Sequence, residues 1–375
     1  MDENIGNPFE KINNIETSQE LLDIAFEKSL KTNISSRTRS AIERSRNHEL
    51  NRINTAANVI VDRIERIISQ FPTIDNIHPF YQEMADLFCG TDELKISLSR
   101  VHGITKAIRS IQDEVKENLI ITEHKDENRQ LRKQAFGRFS SLVYRIQPFL
   151  EDLIKARNNL RKLPSFNPYH PTVVISGIPN AGKSSFIKSV TSGNPEIAPY
   201  PFTTKSIIFG HRPLKFFSIQ FVDTPGLLDR DFLERNDIEL QAILALQYLS
   251  DLLLYFIDPS DGASNNISHQ INLLKQIQEY YPSSDPIIVI TKNDLVDSNT
   301  MENLIKLLEE EKIIKNSKYY SINTVTKQGS ENLVNDIENI IEDLMITNPK
   351  FKTIDNIEID PEFIQEEEDP FWRDY

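Results

Sequence analysis

The sequence predicts an α/β protein in two parts, an N-terminal α-helical bundle followed by a mostly parallel six-stranded sheet with helices on both faces. Three observations predict it. Up to about residue 160 the apolar positions recur every three or four residues, and no β-strand pattern occurs before residue 165. From residue 172 onward, short β-rich apolar runs alternate with helical segments, as a mostly parallel sheet requires. Between the first such run and the next helix stands Gly177-Ile178-Pro179-Asn180-Ala181-Gly182-Lys183-Ser184, which fits the phosphate-loop pattern G-x-x-x-x-G-K-[ST].

The helical half is justified element by element. Thr17-Ser18-Gln19-Glu20 is a capping-box start for a short helix carrying Leu21, Leu22, Ile24, Ala25 and Leu30. A longer helix is expected from about Ser36 to Ser69 along Leu50, Ile53, Ala57, Ile60, Ile64, Ile67 and Ile68, ended by Pro72. His78-Pro79 opens a third helix, and Gly90-Thr91 separates it from a fourth that reaches about Asn118. A fifth, Asn128 to Leu160, carries a stripe from Phe136 to Leu153, with a kink expected at Pro148. Stripes this broad read as bundle core rather than as a ligand box.

Three prolines between Pro164 and Pro171 mark a boundary. The expected division is a bundle over 1–165, a nucleotide domain over 166–346 and an acidic tail over 347–375. Strands are expected at Thr172–Ser176, Ile207–Gly210, Phe216–Asp223, Leu252–Asp258 and Ile287–Thr291, with a weaker sixth near Tyr319–Ile322. Glu366-Glu367-Glu368-Asp369 lies in the tail, which reads as a disordered segment or as an arm laid over a basic surface.

Charge divides the chain in the same place. The net charge is -14, yet residues 1–165 sum to +1 and residues 166–375 to -15. A polyanion would therefore meet the first half. Arg37, Arg39, Arg44, Arg46 and Arg52 fall on or near the start of the long helix, as a solvated face or a phosphate-contacting ridge. No apolar run approaches the ~18 residues that span a bilayer, and no secretory signal opens the chain, so no membrane partner is expected. Cys89 is the single cysteine, which excludes an internal disulfide and a cysteine-based zinc site and suits a reducing, cytoplasmic compartment. The seven histidines show no short metal-ligand spacing, and Ser176 lacks the flanks of a nucleophile elbow.

The chemistry gathers at strand ends. The glycines of the phosphate loop let its backbone curl, so that N–H groups of Asn180, Ala181, Gly182, Lys183, Ser184 and Ser185 and the positive end of the following helix face a phosphate. Lys183 would reach the β- and γ-phosphates and Ser184 the Mg²⁺ ion. In Asp223-Thr224-Pro225-Gly226 a carboxylate can hold Mg²⁺ through water, and the Gly226 N–H can meet a γ-phosphate oxygen. Thr291-Lys292-Asn293-Asp294 closes another strand, and there Asp294 can accept from the N1–H and N2–H of guanine, a donor pair that adenine lacks. Open α/β sheets bind ligands at strand C-termini, which strengthens the three motifs together.

The order of these motifs resembles GTP-binding proteins, and Tyr200-Pro201-Phe202-Thr203-Thr204 resembles the first switch of Obg-like GTPases. More closely, Ile178–Phe186, Pro199–Ser206, Ile238–Ile243, Pro72–Tyr81 and Leu163-Pro164-Ser165 are similar to the nucleolar GTP-binding protein family, over most of residues 10–345. The resemblance implies a P-loop GTPase of large-ribosomal-subunit assembly that binds GTP and GDP and meets ribosomal RNA or pre-ribosomal particles rather than DNA. The chain's size matches the short archaeal form. By position, Thr204 would be the switch threonine meeting Mg²⁺ and γ-phosphate, with Thr203 the fallback. Asn323-Thr324-Val325 aligns with the last guanine-contacting motif when Gly329 is taken as its following glycine.

Two features depart from common patterns. Thr291 stands where asparagine is usual, which would loosen a tie to the phosphate loop. Leu227 stands where Ras-like enzymes place the water-orienting glutamine, and leucine cannot hydrogen-bond. Asn180 sits where related GTPases hold a K⁺ ion across the phosphates, so hydrolysis is expected to be slow alone and stimulated by K⁺ or a ribosomal partner; loop geometry alone is the other reading of Asn180. Two rival functions remain open: a nucleotide-gated binding module with negligible hydrolysis, and a dynamin-like membrane GTPase.

Overall fold

The computed structural model describes residues 6–32, 40–167, 170–200, 206–215, 217–224, 237–280, 285–314, 319–348 and 351. The chain divides into two compact units, Met1–Phe166 and Asn167–Tyr375.

The first unit is helical among its described residues: α1 (Ser18–Leu30), α2 (Ala41–Ser69), α3 (Pro79–Cys89), α4 (Thr91–Ile121), α5 (Lys125–Arg145) and α6 (Gln147–Leu160). The capping box forms at Thr17 and Glu20, each side chain bonding the other's backbone N–H. Gly90 separates α3 from α4 at φ 69°, a left-handed angle suited to glycine. The expected single helix through Pro148 is two. The α-pattern breaks at Ile146 (φ -90°, ψ 2°), and Pro148 then falls in the first turn of α6, where its missing N–H costs no hydrogen bond. The apolar stripes form the core: Ile53, Ala57, Ile60 and Ile64 of α2 are fully buried, as are Phe139 and Val143 of α5 and Leu153 of α6. Glu49 is buried in α2 because Arg132 of α5 donates to its carboxylate at 2.6 Å, so the ion pair offsets the loss of hydration. Arg46 spends one guanidinium nitrogen on the Thr122 carbonyl at 2.8 Å, while Arg37 and Arg39 lie outside the described residues.

The second unit is a seven-stranded mixed sheet in the order β2-β3-β4-β1-β5-β6-β7. Its strands are β1 (Thr172–Gly177), β2 (Ser192–Pro199), β3 (Ser206–Pro213), β4 (Ser218–Asp223), β5 (Leu252–Ile257), β6 (Ile287–Thr291) and β7 (Tyr320–Ile322). β4, β1, β5, β6 and β7 pair in parallel, and β3 pairs antiparallel with both β4 and β2. The expected count of six omitted β2, a proline-bearing edge strand without β-branched alternation. β1 and β5 are buried at every position, as central parallel strands covered on both faces must be. Among the described residues four α-helices join strands, α7 (Lys183–Val190), α8 (Asp237–Leu244), α9 (Ile267–Tyr280) and α10 (Ser298–Glu310), and α11 (Ser330–Thr347) follows β7. Nearly all of the acidic tail lies outside the described residues; Phe351, which is described, is buried.

Candidate functional site

The site is built on the C-terminal ends of β1, β4, β5 and β6. β1 is a buried hydrophobic strand that ends at Gly177, whose φ of +136° few side chains adopt; a Cβ there would sit 2.4 Å from the Phe256 carbonyl oxygen. Glycine is therefore required for the turn to leave the sheet beside β5. The loop then carries Asn180 at φ 62° and Gly182 at φ 93°, the latter capping α7. These left-handed residues curl the backbone ahead of a helix whose first N–H groups have no intrahelical acceptor.

Lys183 begins α7 and is 6% exposed. A buried ammonium needs acceptors, and its Nζ donates to the carbonyls of Gly177 at 2.7 Å and Ile178 at 2.8 Å. The lysine thus folds back over its own loop. Ala181 is buried beneath that loop, while Asn180 and Ser185 are exposed. Ser184 donates its hydroxyl to the Asp223 carboxylate, which is fully buried at the end of β4. The neighbouring Thr224 donates to the Ile175 carbonyl at 3.2 Å, fixing the end of β4 against β1. A hydroxyl and a carboxylate therefore meet at the start of α7. Both are hard oxygen donors of the kind Mg²⁺ takes, so the donor set fits that ion.

The other side of the site is assembled from β6 and the loop after β7. Lys292 turns the chain at φ 51° and donates to Asp258 at the end of β5. Asp294 follows as an exposed carboxylate. Thr291 is buried and donates to the Ile257 carbonyl at 3.2 Å, so the residue in the asparagine position is tied to β5. Asn323 caps its own loop, its Oδ1 accepting from the N–H groups of Val325 and Thr326, both at 2.9 Å. This brings Thr324 against the phosphate loop: a Cβ on Gly182 would lie 3.1 Å from the Thr324 side chain. The phosphate loop and the Thr324 loop therefore touch, although the sequence separates them by more than a hundred residues.

The structure brings together Gly182, Lys183, Ser184, Asp223 and Thr324, and places Lys292 and Asp294 at the end of β6. Thr203, Thr204, Gly226 and Leu227 lie outside the described residues. Sequence reasoning missed Asp258, Gln270 and Ser264. The first carried a usable signal, an aspartate closing the apolar run Leu252–Ile257 at a strand end. The Ser264 hydroxyl reaches the Pro179 carbonyl of the phosphate loop at 2.8 Å, a contact without a motif. Among the described residues no group of His, Cys, Asp and Glu forms a metal cluster, and no helix is long and apolar enough to cross a membrane.

Comparison with known proteins matches residues 9–167 to the NOG1 N-terminal helical domain and residues 172–293 to the domain described as 50S ribosome-binding GTPase. The chain is similar to an uncharacterized protein of Methanocaldococcus jannaschii, 38% identical over 300 residues, which cover 79% of this chain and 84% of that one. It is also similar to nucleolar GTP-binding protein 1 of Drosophila melanogaster, 34% identical over 68% of this chain and 39% of the relative. With the Saccharomyces cerevisiae protein of the same name the identity is 31%, over 79% of this chain and 46% of the relative. The chain thus spans less than half the length of these two eukaryotic relatives.

Proposed function

Since the chain belongs to the nucleolar GTP-binding protein 1 family, with that family's helical domain followed by a GTPase domain, we propose that it hydrolyses GTP to GDP and phosphate as a switch on the large ribosomal subunit or its precursor. The observation that carries this reading is the convergence at one end of the sheet: Lys183 folded over the loop, Ser184 bonded to Asp223, and Thr324 against Gly182.

In this reading the loop N–H groups from Asn180 to Ser185 and the N-terminal end of α7 cradle the phosphates. Lys183 exchanges its loop carbonyls for β- and γ-phosphate oxygens, a gain because a buried ammonium is better matched by an anion. Ser184 and Asp223 are the residues that would hold Mg²⁺, and the bound ion would neutralise charge on the transferring phosphoryl group. Thr204 and Gly226 meet the γ-phosphate, so that their segments order with GTP and release after hydrolysis. Asp294 reads guanine, with Lys292 and Thr324 beside it. Asn180 is the residue that would hold a K⁺ ion, which would supply the positive charge an arginine finger otherwise brings. The helical unit docks ribosomal RNA through its basic residues, and the protein works in the cytoplasm.

Leu227 favours a second reading, a binding module that exchanges nucleotide without turning it over. Phosphate release from GTP in Mg²⁺ separates the two, measured in K⁺ and in Na⁺, with and without large ribosomal subunits. The switch reading expects slow release that rises with K⁺ or subunits, abolished by Lys183→Ala and made insensitive to K⁺ by Asn180→Ala. Release absent under every condition would leave the binding module. Asn180→Ala turning over like wild type in K⁺ would remove the cation role alone.

A further inference from the structure

The lysine of the guanine motif is held by an aspartate that belongs to none of the nucleotide motifs. Asp258 stands at the end of β5, is fully buried, and receives the Lys292 ammonium on its Oδ2. Its Oδ1 accepts from the Ser260 N–H at 3.0 Å and the Ser260 hydroxyl at 2.7 Å. The Asp258 backbone is closed by Gln270 of α9, also fully buried: the Asp258 N–H donates to Gln270 Oε1 at 3.0 Å, and its carbonyl accepts from Nε2 at 2.8 Å. The same Nε2 holds the Asn265 carbonyl at 3.0 Å. Both carboxylate oxygens and both backbone groups of Asp258 are thus engaged, so its position is over-determined.

Two further bonds connect this anchor to both halves of the nucleotide site. Thr291, beside Lys292, donates to the Ile257 carbonyl, so the first two residues of the guanine motif rest on the last two of the β5 end. Six residues beyond Asp258, the Ser264 hydroxyl bonds the phosphate loop at Pro179. Lys292 occupies a left-handed conformation, which for a residue other than glycine persists where its surroundings enforce it. The ion pair supplies that enforcement two residues ahead of Asp294.

We propose that Asp258 is a positioning residue for guanine-nucleotide binding: it clamps Lys292 and through it sets the register of Asp294, while the loop to Ser264 keeps the phosphate loop in the same frame. The inference rests on the GTP-binding reading of the site. Asp258→Asn preserves shape and leaves an oxygen for Ser260, but removes the charge that holds Lys292.

The test is the affinity of a fluorescent GDP and its displacement by GTP, for wild type, Asp258→Asn, Lys292→Ala and the double variant, with GTP turnover at saturation measured alongside. Asp258→Asn should weaken GDP and GTP equally, by roughly tenfold, the size expected for a coupled charged pair. Turnover at saturating GTP should stay within about twofold, and the double variant should be no weaker than Lys292→Ala alone. A merely structural role would instead lower turnover as well and give penalties that multiply. Affinity within about twofold of wild type, or multiplying penalties, overturns the proposal. Should Asp258→Asn not fold, Ser260→Ala removes one of the bonds that orient the carboxylate. It should weaken GDP by about threefold and add nothing to Lys292→Ala. A wild-type protein without guanine-nucleotide affinity would overturn both this proposal and the reading beneath it, whereas a wild type that binds beside an unaffected Asp258→Asn overturns this proposal alone.

Discussion

Asp294→Asn should change which purine the protein binds. Asp294 is exposed and makes no hydrogen bond or ion pair with another described residue, so the substitution costs the fold little and its effect falls on binding. In the proposed reading the carboxylate accepts from N1–H and N2–H of guanine. The amide keeps one acceptor for N1–H but turns a donor toward the N2 amino group, so one charge-assisted bond is lost and two donors face each other. A hydrogen bond to a charged group contributes about 1.5–3 kcal/mol, and an unmet donor costs a similar amount. Together they come to about 3–6 kcal/mol, which corresponds to roughly 100- to 20,000-fold weaker GTP binding. Xanthine carries a carbonyl where guanine has the amino group, and the amide pairs with it without conflict. Competition of GTP, XTP and ATP against a fluorescent GDP on wild type, and against a fluorescent xanthosine diphosphate on the variant, reads the change. Wild type should prefer GTP, and Asp294→Asn should prefer XTP while unfolding at the same temperature. A variant that keeps GTP affinity within about threefold and gains nothing for XTP would refute the assignment of Asp294 to the base.

Other substitutions test the frame around the site. Gly177→Ala would place a methyl 2.4 Å from the Phe256 carbonyl at a φ of +136°, so thermal unfolding should show a loss of at least about 1–3 kcal/mol together with lost nucleotide binding. His170 has its pKa lowered by burial and by the nearby His211, so the folded state binds fewer protons than the unfolded state as pH falls through 6.5. Stability should therefore drop on acidification through that value and level off below the folded pKa, and in denaturant titrations His170→Gln should flatten that slope. The Cys89 thiol is pushed up to about 11 by burial and by the carboxylates of Asp86 and Glu93, against an ordinary value of 9.0. Its thiolate should be about 100-fold scarcer at pH 8 than that of an unperturbed thiol, so disulfide-exchange labelling should be slow and still accelerating at pH 10.

The parts of the fold legible in the sequence are those whose signal is local. The phosphate loop, β1 and α7 follow from one octapeptide and its flanks, and the helical half follows from stripes that a 3.6-residue period requires. β2 was not legible, because Ser192–Pro199 carries glycine, asparagine and two prolines and is a strand only by pairing with β3. The break at Ile146 was placed at Pro148 for a related reason: proline tolerates a first turn, so it marks the start of α6 rather than a bend within a helix. At the site, Ser184 and Asp223 could be named from their motifs, but their mutual bond depends on the register of β1 with β4. At Thr291 the expectation is a looser tie to the phosphate loop; what the sequence does not show is where its hydroxyl goes instead, to the Ile257 carbonyl of β5, and that Ser264 bonds the loop from elsewhere.

The most direct measurement is co-sedimentation of the protein with large ribosomal subunits, loaded with GDP or with a non-hydrolysable GTP analogue, at two salt concentrations. A nucleotide switch that docks through basic residues predicts pelleting with the analogue, release with GDP, and weaker pelleting at the higher salt. Pelleting that ignores the nucleotide, or none in either state, would contradict the account.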